Sequence, residues 1–197
     1  MRRGLIFLLI LSLQFAAPTS AFDGKRRGFV IGVGLGFTPF VRWSATYMGS
    51  HFHDDNAGLV EDLIIGYGLD ERNLLTLEAN LTAHGSEHFD RRVVQGFAGL
   101  SWYHYYGVQG RSFFSVAGMG LYRLATIMFG DIYICINCPD TSPPFDNATG
   151  IGYLLGGGYE FARHTQVALY LAGGKPSERG QHYGSTHVAI TLTAIAF

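Results

Sequence analysis

His182, Ser185 and His187 are the residues whose types and spacing could carry out a reaction. Ser185 and His187 stand two apart near the end of the chain, with His182 just upstream. Ester hydrolysis needs a nucleophile, a base and an orienting acid in mutual reach. No acid accompanies these three in a motif, so they give a catalytic site only as an alternative reading. Cys135-Ile136-Asn137-Cys138 is the second candidate. A redox dithiol sits on a thioredoxin-like scaffold of alternating strands and helices, which this chain does not show. A local disulfide is the expectation, stiffening a loop tip beside Pro139, Pro143 and Pro144 rather than adding much stability. His51, His53, His84 and His88 cluster in or beside the same kind of loop, but no tight ligand spacing spans one element, so no metal or cofactor is expected. Gly32-Val33-Gly34-Leu35-Gly36 lies inside an alternating strand. A dinucleotide fingerprint needs a strand, a turn and then a helix.

A third group has chemistry only if a strand aims it inward: Asp62, Glu78, Asn80, Arg123 and Glu160. The strand that decides this is Leu74 to His84, L-L-T-L-E-A-N-L-T-A-H. Leu75, Leu77, Ala79, Leu81 and Ala83 share one face; Thr76, Glu78, Asn80, Thr82 and His84 share the other. Strand side chains alternate with period two, so the segment has one apolar and one polar face. Its eleven residues match the roughly 9–11 that a tilted strand needs to cross a bilayer.

The first 21 residues carry an address. Arg2 and Arg3 precede the apolar run Leu5 to Phe15, and Thr19-Ser20-Ala21 supplies small residues for cleavage before Phe22. This pattern predicts a secretory signal peptide over 1–21 and a single domain over 22–197. Its removal takes away two of the 14 basic residues against 15 acidic ones, leaving a net charge of about −3. No nucleic-acid partner is indicated. Charged residues are only 15% of the chain, aromatics are 14%, and there are 27 glycines. The part beyond the signal has no run of about 20 apolar residues. Lipid leaves a backbone only helices and closed barrels, so the expectation is a barrel.

Eight strands are predicted: Phe29 to Thr38, Leu59 to Leu69, Leu74 to His84, Val93 to Tyr105, Phe113 to Ala125, Gly150 to Phe161, Gln166 to Ala172 and Ser185 to Phe197. The fourth, fifth and eighth do not declare their facing. Short connections, such as Asp70 to Asn73 and Ala162 to Thr165, alternate with long ones. The segments 40–58, 127–149 and 173–184 are expected as outer loops, with Phe40, Trp43, Tyr47, Phe52 and Phe145 as contact aromatics. The fold class is all-β, an eight-stranded antiparallel up-and-down transmembrane barrel. A soluble barrel of the lipocalin kind would invert the pattern, with its apolar face inside.

Eight strands leave an interior that side chains fill. Asp62, Glu78, Asn80 and Glu160, with Arg123 as cationic partner, are expected to form a lumen ion-pair network. Acids outnumber inward bases there. Arg42, Arg91 or Arg92, or carboxyls that keep their protons, must supply the balance. The inward glycines Gly32, Gly34, Gly36, Gly66, Gly68, Gly156 and Gly158 leave room for large opposing side chains.

With its leader, eight amphipathic strands, alternating loops and terminal H-V-A-I-T-L-T-A-I-A-F, the chain resembles the small eight-stranded outer-membrane barrels of Gram-negative bacteria, the outer-membrane protein A/X-like group. The resemblance implies a monomer in the bacterial outer membrane, in contact with its lipid and lipopolysaccharide. It implies that the barrel assembly machinery reads the last strand, which ends at Phe197. The expected role is structural or surface-interacting, with no open pore and no cofactor. Two alternatives stand beside it. One is an outer-leaflet lipid A-modifying enzyme of acyltransferase or deacylase type, using Ser185, His187 and His182. The other is a narrow channel.

Overall fold

The computed structural model describes residues 25–47, 50–85, 92–127 and 147–197; the side chains of 46–47, 50–54 and 127 are not part of that description. The predicted leader, Cys135, Cys138, His88, Arg91 and Phe145 lie outside it, as do the side chains of Tyr47, His51, Phe52 and His53.

Among the described residues there are nine strands: β1 (Gly28–Tyr47), β2 (Ser50–Gly68), β3 (Asn73–Gly85), β4 (Arg92–Tyr105), β5 (Ser112–Ile127), β6 (Asn147–Ala162), β7 (Thr165–Gly174), the two-residue β8 (Ser177–Glu178) and β9 (Gln181–Ala196). Each long strand pairs antiparallel with the next, and β9 returns to β1, which closes an eight-stranded up-and-down barrel. Closure removes the unpaired edges that lipid could not satisfy. The end where β1 begins and β9 finishes is called proximal here, and the other end distal.

The alternation in β3 appears as burial. Leu77 is 64% exposed and Leu81 39%, whereas Thr76, Glu78, Asn80 and Thr82 are at most 3% exposed. The same polarity runs around the wall, with Ile151, Met119 and Leu169 outside and Asp62, Glu160 and Gln166 inside. A soluble barrel has the reverse arrangement, so the outer face is a lipid face. Outward Phe29, Tyr67, Trp102, Tyr106, Phe113 and Phe161 form a proximal aromatic belt, as at a membrane–water interface.

The three undeclared strands now have a facing. Phe97, Ser101, Tyr103 and Tyr105 of β4 point inward, as do Phe114, Val116 and Tyr122 of β5 and Ser185, His187, Thr191 and Thr193 of β9. Phe197 is inward too, only 2% exposed.

Two predicted loops are paired backbone instead. β1 and β2 run on through 40–58, in register from Val41↔Asn56 to Tyr47↔Ser50. A register shift between Thr38 and Val41 holds Pro39, which has no N–H for a regular ladder. The shift also reverses parity. Val41, Trp43 and Ala45 become the inward set, and Trp43 is wholly buried rather than a surface contact residue. The second case is 173–184, where β8 pairs with β9 across Arg179–Gly180. Both of those residues have positive φ, the two-residue hairpin geometry that matches strand twist.

Candidate functional site

The lumen is the candidate site, and it is stacked in three tiers. The distal tier is apolar: Trp43, Ala45, Val93, Leu124, Ala148 and Tyr183 form one buried cluster. Below it, Ser185 Oγ donates to Gln95 Oε1 at 2.9 Å, and Thr82 Oγ1 donates to the Leu59 carbonyl at 3.1 Å.

The middle tier is polar. Tyr103 donates its hydroxyl to Glu78 Oε1 at 2.9 Å and lies 3.1 Å from the Tyr170 hydroxyl. Tyr170 in turn reaches Asp62 Oδ2 at 3.4 Å. Asn80 donates from Nδ2 to Asp62 Oδ1 at 3.2 Å, and its Oδ1 lies 2.9 Å from His187 Nε2. Because an amide oxygen only accepts, Nε2 carries the imidazole proton, and Nδ1 accepts from Tyr122 OH at 2.8 Å. Six strands thus contribute to one hydrogen-bonded cluster. A Cβ on Gly156 or Gly158 would collide first with the Leu169 or Val167 carbonyl oxygen and then with the Tyr170 or Phe114 ring.

The proximal tier rests on a residue that strand periodicity missed. Arg26 lies just before β1, is 1% exposed, and inserts its guanidinium into the mouth of the barrel. It pairs with Glu160 through Nη2. Nη1 donates to the carbonyls of Glu71 at 3.0 Å and Gly107 at 3.2 Å. The guanidinium carbon stands 4.0 Å over the Tyr105 ring, a cation–π distance. Gly110 N donates to the same Glu160 oxygen at 2.9 Å, and Tyr105 OH donates to Gln166 Oε1 at 2.8 Å. Two glycines permit this entry. Gly28, at φ 103°, turns the chain from the Arg26 segment into β1, and a Cβ on Gly68 would collide with the Arg26 carbonyl oxygen.

Arg123, expected inside, is on the outer face, where its Nε donates to Asn147 Oδ1 at 2.6 Å. It shares parity with Phe113, Met119 and Leu121, which face lipid, so the strand's own period sends it outward. Arg26 takes the role assigned to it. Arg42 is likewise outside, forked onto Asp55 at 2.6 and 2.7 Å. The sequence held one hint of Arg26: an excess of inward acids that required a buried base.

The three residues of the alternative catalytic reading are not brought together. Ser185 and His187 both face the lumen, but Ser185 is engaged by Gln95, and both nitrogens of His187 are engaged by Tyr122 and Asn80. His182 is exposed on the β8–β9 hairpin, on the opposite face from Ser185. The nucleophile and base therefore have different partners.

Outside the membrane span, the short turn after β2 is tied by Asp70. Its carboxylate accepts from the backbone N–H of Arg72 at 2.7 Å and of Asn73 at 2.8 Å, and from the Asn73 side chain. The Asn73 side-chain bond, then the Arg72 N–H, holds the Asp70 carboxyl below its ordinary range.

No protein-family model matches the chain, and no curated protein matches it. Solved structures do match. The crystal structure of Neisserial surface protein A aligns at a TM-score of 0.51 and 12% identity, over 85% of this chain and 96% of that one. The attachment invasion locus protein Ail of Yersinia pestis aligns at 0.47 and 10% identity, over 85% and 99%. The N-terminal barrel domain of Pseudomonas aeruginosa OprF aligns at 0.45 and 14%, over 86% and 98%. With the closed topology and exposed apolar wall, the Neisserial match shows that the fold is a small eight-stranded up-and-down β-barrel like that of the surface protein.

Proposed function

We propose that this protein is an integral barrel of the bacterial outer membrane that acts through its surface, with a lumen that serves as a structural plug. The observation that carries the reading is the contrast between wall and interior. Trp43, Phe97, Tyr103, Tyr105, Tyr122 and Tyr170 fill the lumen at 1% exposure or less, while the large apolar side chains of the wall stand exposed. A diffusion pore needs a wider ring of strands than eight. The termini then lie on the periplasmic side, with residues 1–21 removed on export.

The proposed contacts are membrane lipid and lipopolysaccharide. A recess of about 650 Å³ on the outer surface near the distal end is lined by Arg42, Lys175, Tyr153 and Ile151. Lys175 beside an apolar wall suits an anionic headgroup above its acyl chains, with Arg42 of the same recess paired to Asp55. The assembly machinery would read β9 before closure, because Phe197 is buried in the finished barrel.

Cell fractionation with heat-modifiable gel migration, followed by planar-bilayer recording, tests the reading. The expected result is an outer-membrane protein that changes mobility on heating and gives no sustained conductance. Solubility without detergent overturns the membrane assignment, and a steady open conductance overturns the plug. Leu77→Arg with Leu81→Arg places two charges on the lipid face, at about 2–4 kcal/mol each near the midplane, and should abolish insertion.

A further inference from the structure

The middle tier contains an imbalance that the wall does not resolve. Among the described residues, three carboxyls are buried in the lumen, Asp62, Glu78 and Glu160, and one guanidinium, Arg26. Arg26 is committed to Glu160 and to two backbone carbonyls. Asp62 and Glu78 are diagonal neighbours on the inner faces of β2 and β3, Glu78 Oε2 has no hydrogen-bond partner, and among the described residues neither acid faces a cation of its own. Their remaining neighbours are accounted for strand by strand. β3 offers Asn80, and β4 offers Ser101, Tyr103 and, one step proximal, Tyr105. β7 offers Tyr170. β9 offers His187, whose single ring proton goes to Asn80, and His84 of β3 stands beyond it.

A proton count then decides the state of the ring. Three hydrogen-bond contacts link the acids, Glu78 with Tyr103, Tyr103 with Tyr170, and Tyr170 with Asp62, and the diagonal placement of Asp62 beside Glu78 across β2 and β3 closes the ring. Each hydrogen bond needs one proton, and each hydroxyl brings one. If both carboxyls are ionised, both hydroxyl protons are already directed at them, and two anions stand side by side in a dry interior with no proton between them. One proton on the acid pair bridges Asp62 to Glu78 and removes the like-charge contact.

We infer that Asp62 and Glu78 are a proton-sharing carboxyl pair that closes the middle of the lumen, so that the seal tightens in acid and loosens in alkali. The device is independent of what the surface loops bind. It makes folding take up a proton, because an unfolded chain ionises both acids above about pH 5.

The test is refolding of the urea-unfolded chain into detergent micelles, in weak buffer near neutral pH, with a pH-indicator dye. The native sequence should take up about one proton per chain more than Asp62→Asn or Glu78→Gln. In either variant the new amide donates to the surviving carboxylate, so the bridge no longer needs an acid proton. Its unfolding equilibrium constant should rise about tenfold more per pH unit than theirs, until the proton leaves. Equal uptake and parallel pH profiles in native and variant chains overturn the inference. So does a native stability that follows sodium or potassium concentration at fixed ionic strength, which would place a bound cation where the proton is assigned. Because each single variant keeps one acid and one donor, one of them remains informative if the other does not fold.

Discussion

Glu160 and the Asp62–Glu78 pair are buried to the same degree in the same lumen, yet they are stabilised in opposite ways. Glu160 meets a guanidinium delivered from outside the sheet, together with the Gly110 N–H. Asp62 and Glu78 meet hydroxyls and an amide, and stand diagonal to each other across β2 and β3. A strand can place an acid inside a barrel by parity alone. The same holds for a base, but among the described residues no strand turns a lysine or arginine inward, and the one buried guanidinium, Arg26, enters at the proximal mouth from the segment before β1. The difference lies in the partners within reach: Glu160 is near the mouth that Arg26 enters, whereas Asp62 and Glu78 have only neutral groups around them.

Arg26→Ala should break the comparison most strongly. It strands Glu160 without its partner, and loss of one member of a buried ion pair costs about 3–5 kcal/mol. Urea unfolding in detergent measures it, and adding Glu160→Gln to Arg26→Ala should recover most of the loss. A loss in the double variant as large as in the single one would mean that Arg26 acts by plugging the mouth rather than by pairing. Next comes Tyr103→Phe, which removes the donor to Glu78 and the contact to Tyr170. Leaving a buried acceptor unmet costs about 1–3 kcal/mol, read from the same unfolding curves. Asp62→Asn should cost less than either, about 1 kcal/mol or below at neutral pH, because the amide keeps the size and supplies a donor. A loss as large as that of Arg26→Ala would show Asp62 to be a paired anion like Glu160.

The smallest effect lies at the surface turn. Asp70 is held below its ordinary value of 3.8, so its contribution is present above that value and is lost as pH falls through the lower folded one. Asn73→Ala removes the side-chain bond that is the leading cause. An NMR titration of the Asp70 carboxyl should then show its midpoint move up toward the ordinary value, with little change in barrel stability.

β3 was legible because lipid imposes a rule on every second residue. Leu75, Leu77 and Leu81 had to face hydrocarbon, which sent Glu78 and Asn80 inward. Beyond Thr38 that rule lapses. The strand has a bulge at Pro39 and then presents Arg42 and Ser44 outward, so the pairing of 40–58 left no apolar stripe to read. Arg123 could have been placed by its parity with Met119 and Leu121, but the search for a base to balance the acids overrode the pattern.

Local chemistry determined that a chain with these alternating segments closes into a cylinder with its oil outside, because each residue's facing follows from its neighbours two positions away. Which acid met which partner was decided only when the cylinder closed. Arg26 lies 134 residues from Glu160, and His187 lies 107 from Asn80. Contacts across a lumen depend on the stagger of all eight long strands at once, and no local pattern of residues encodes that.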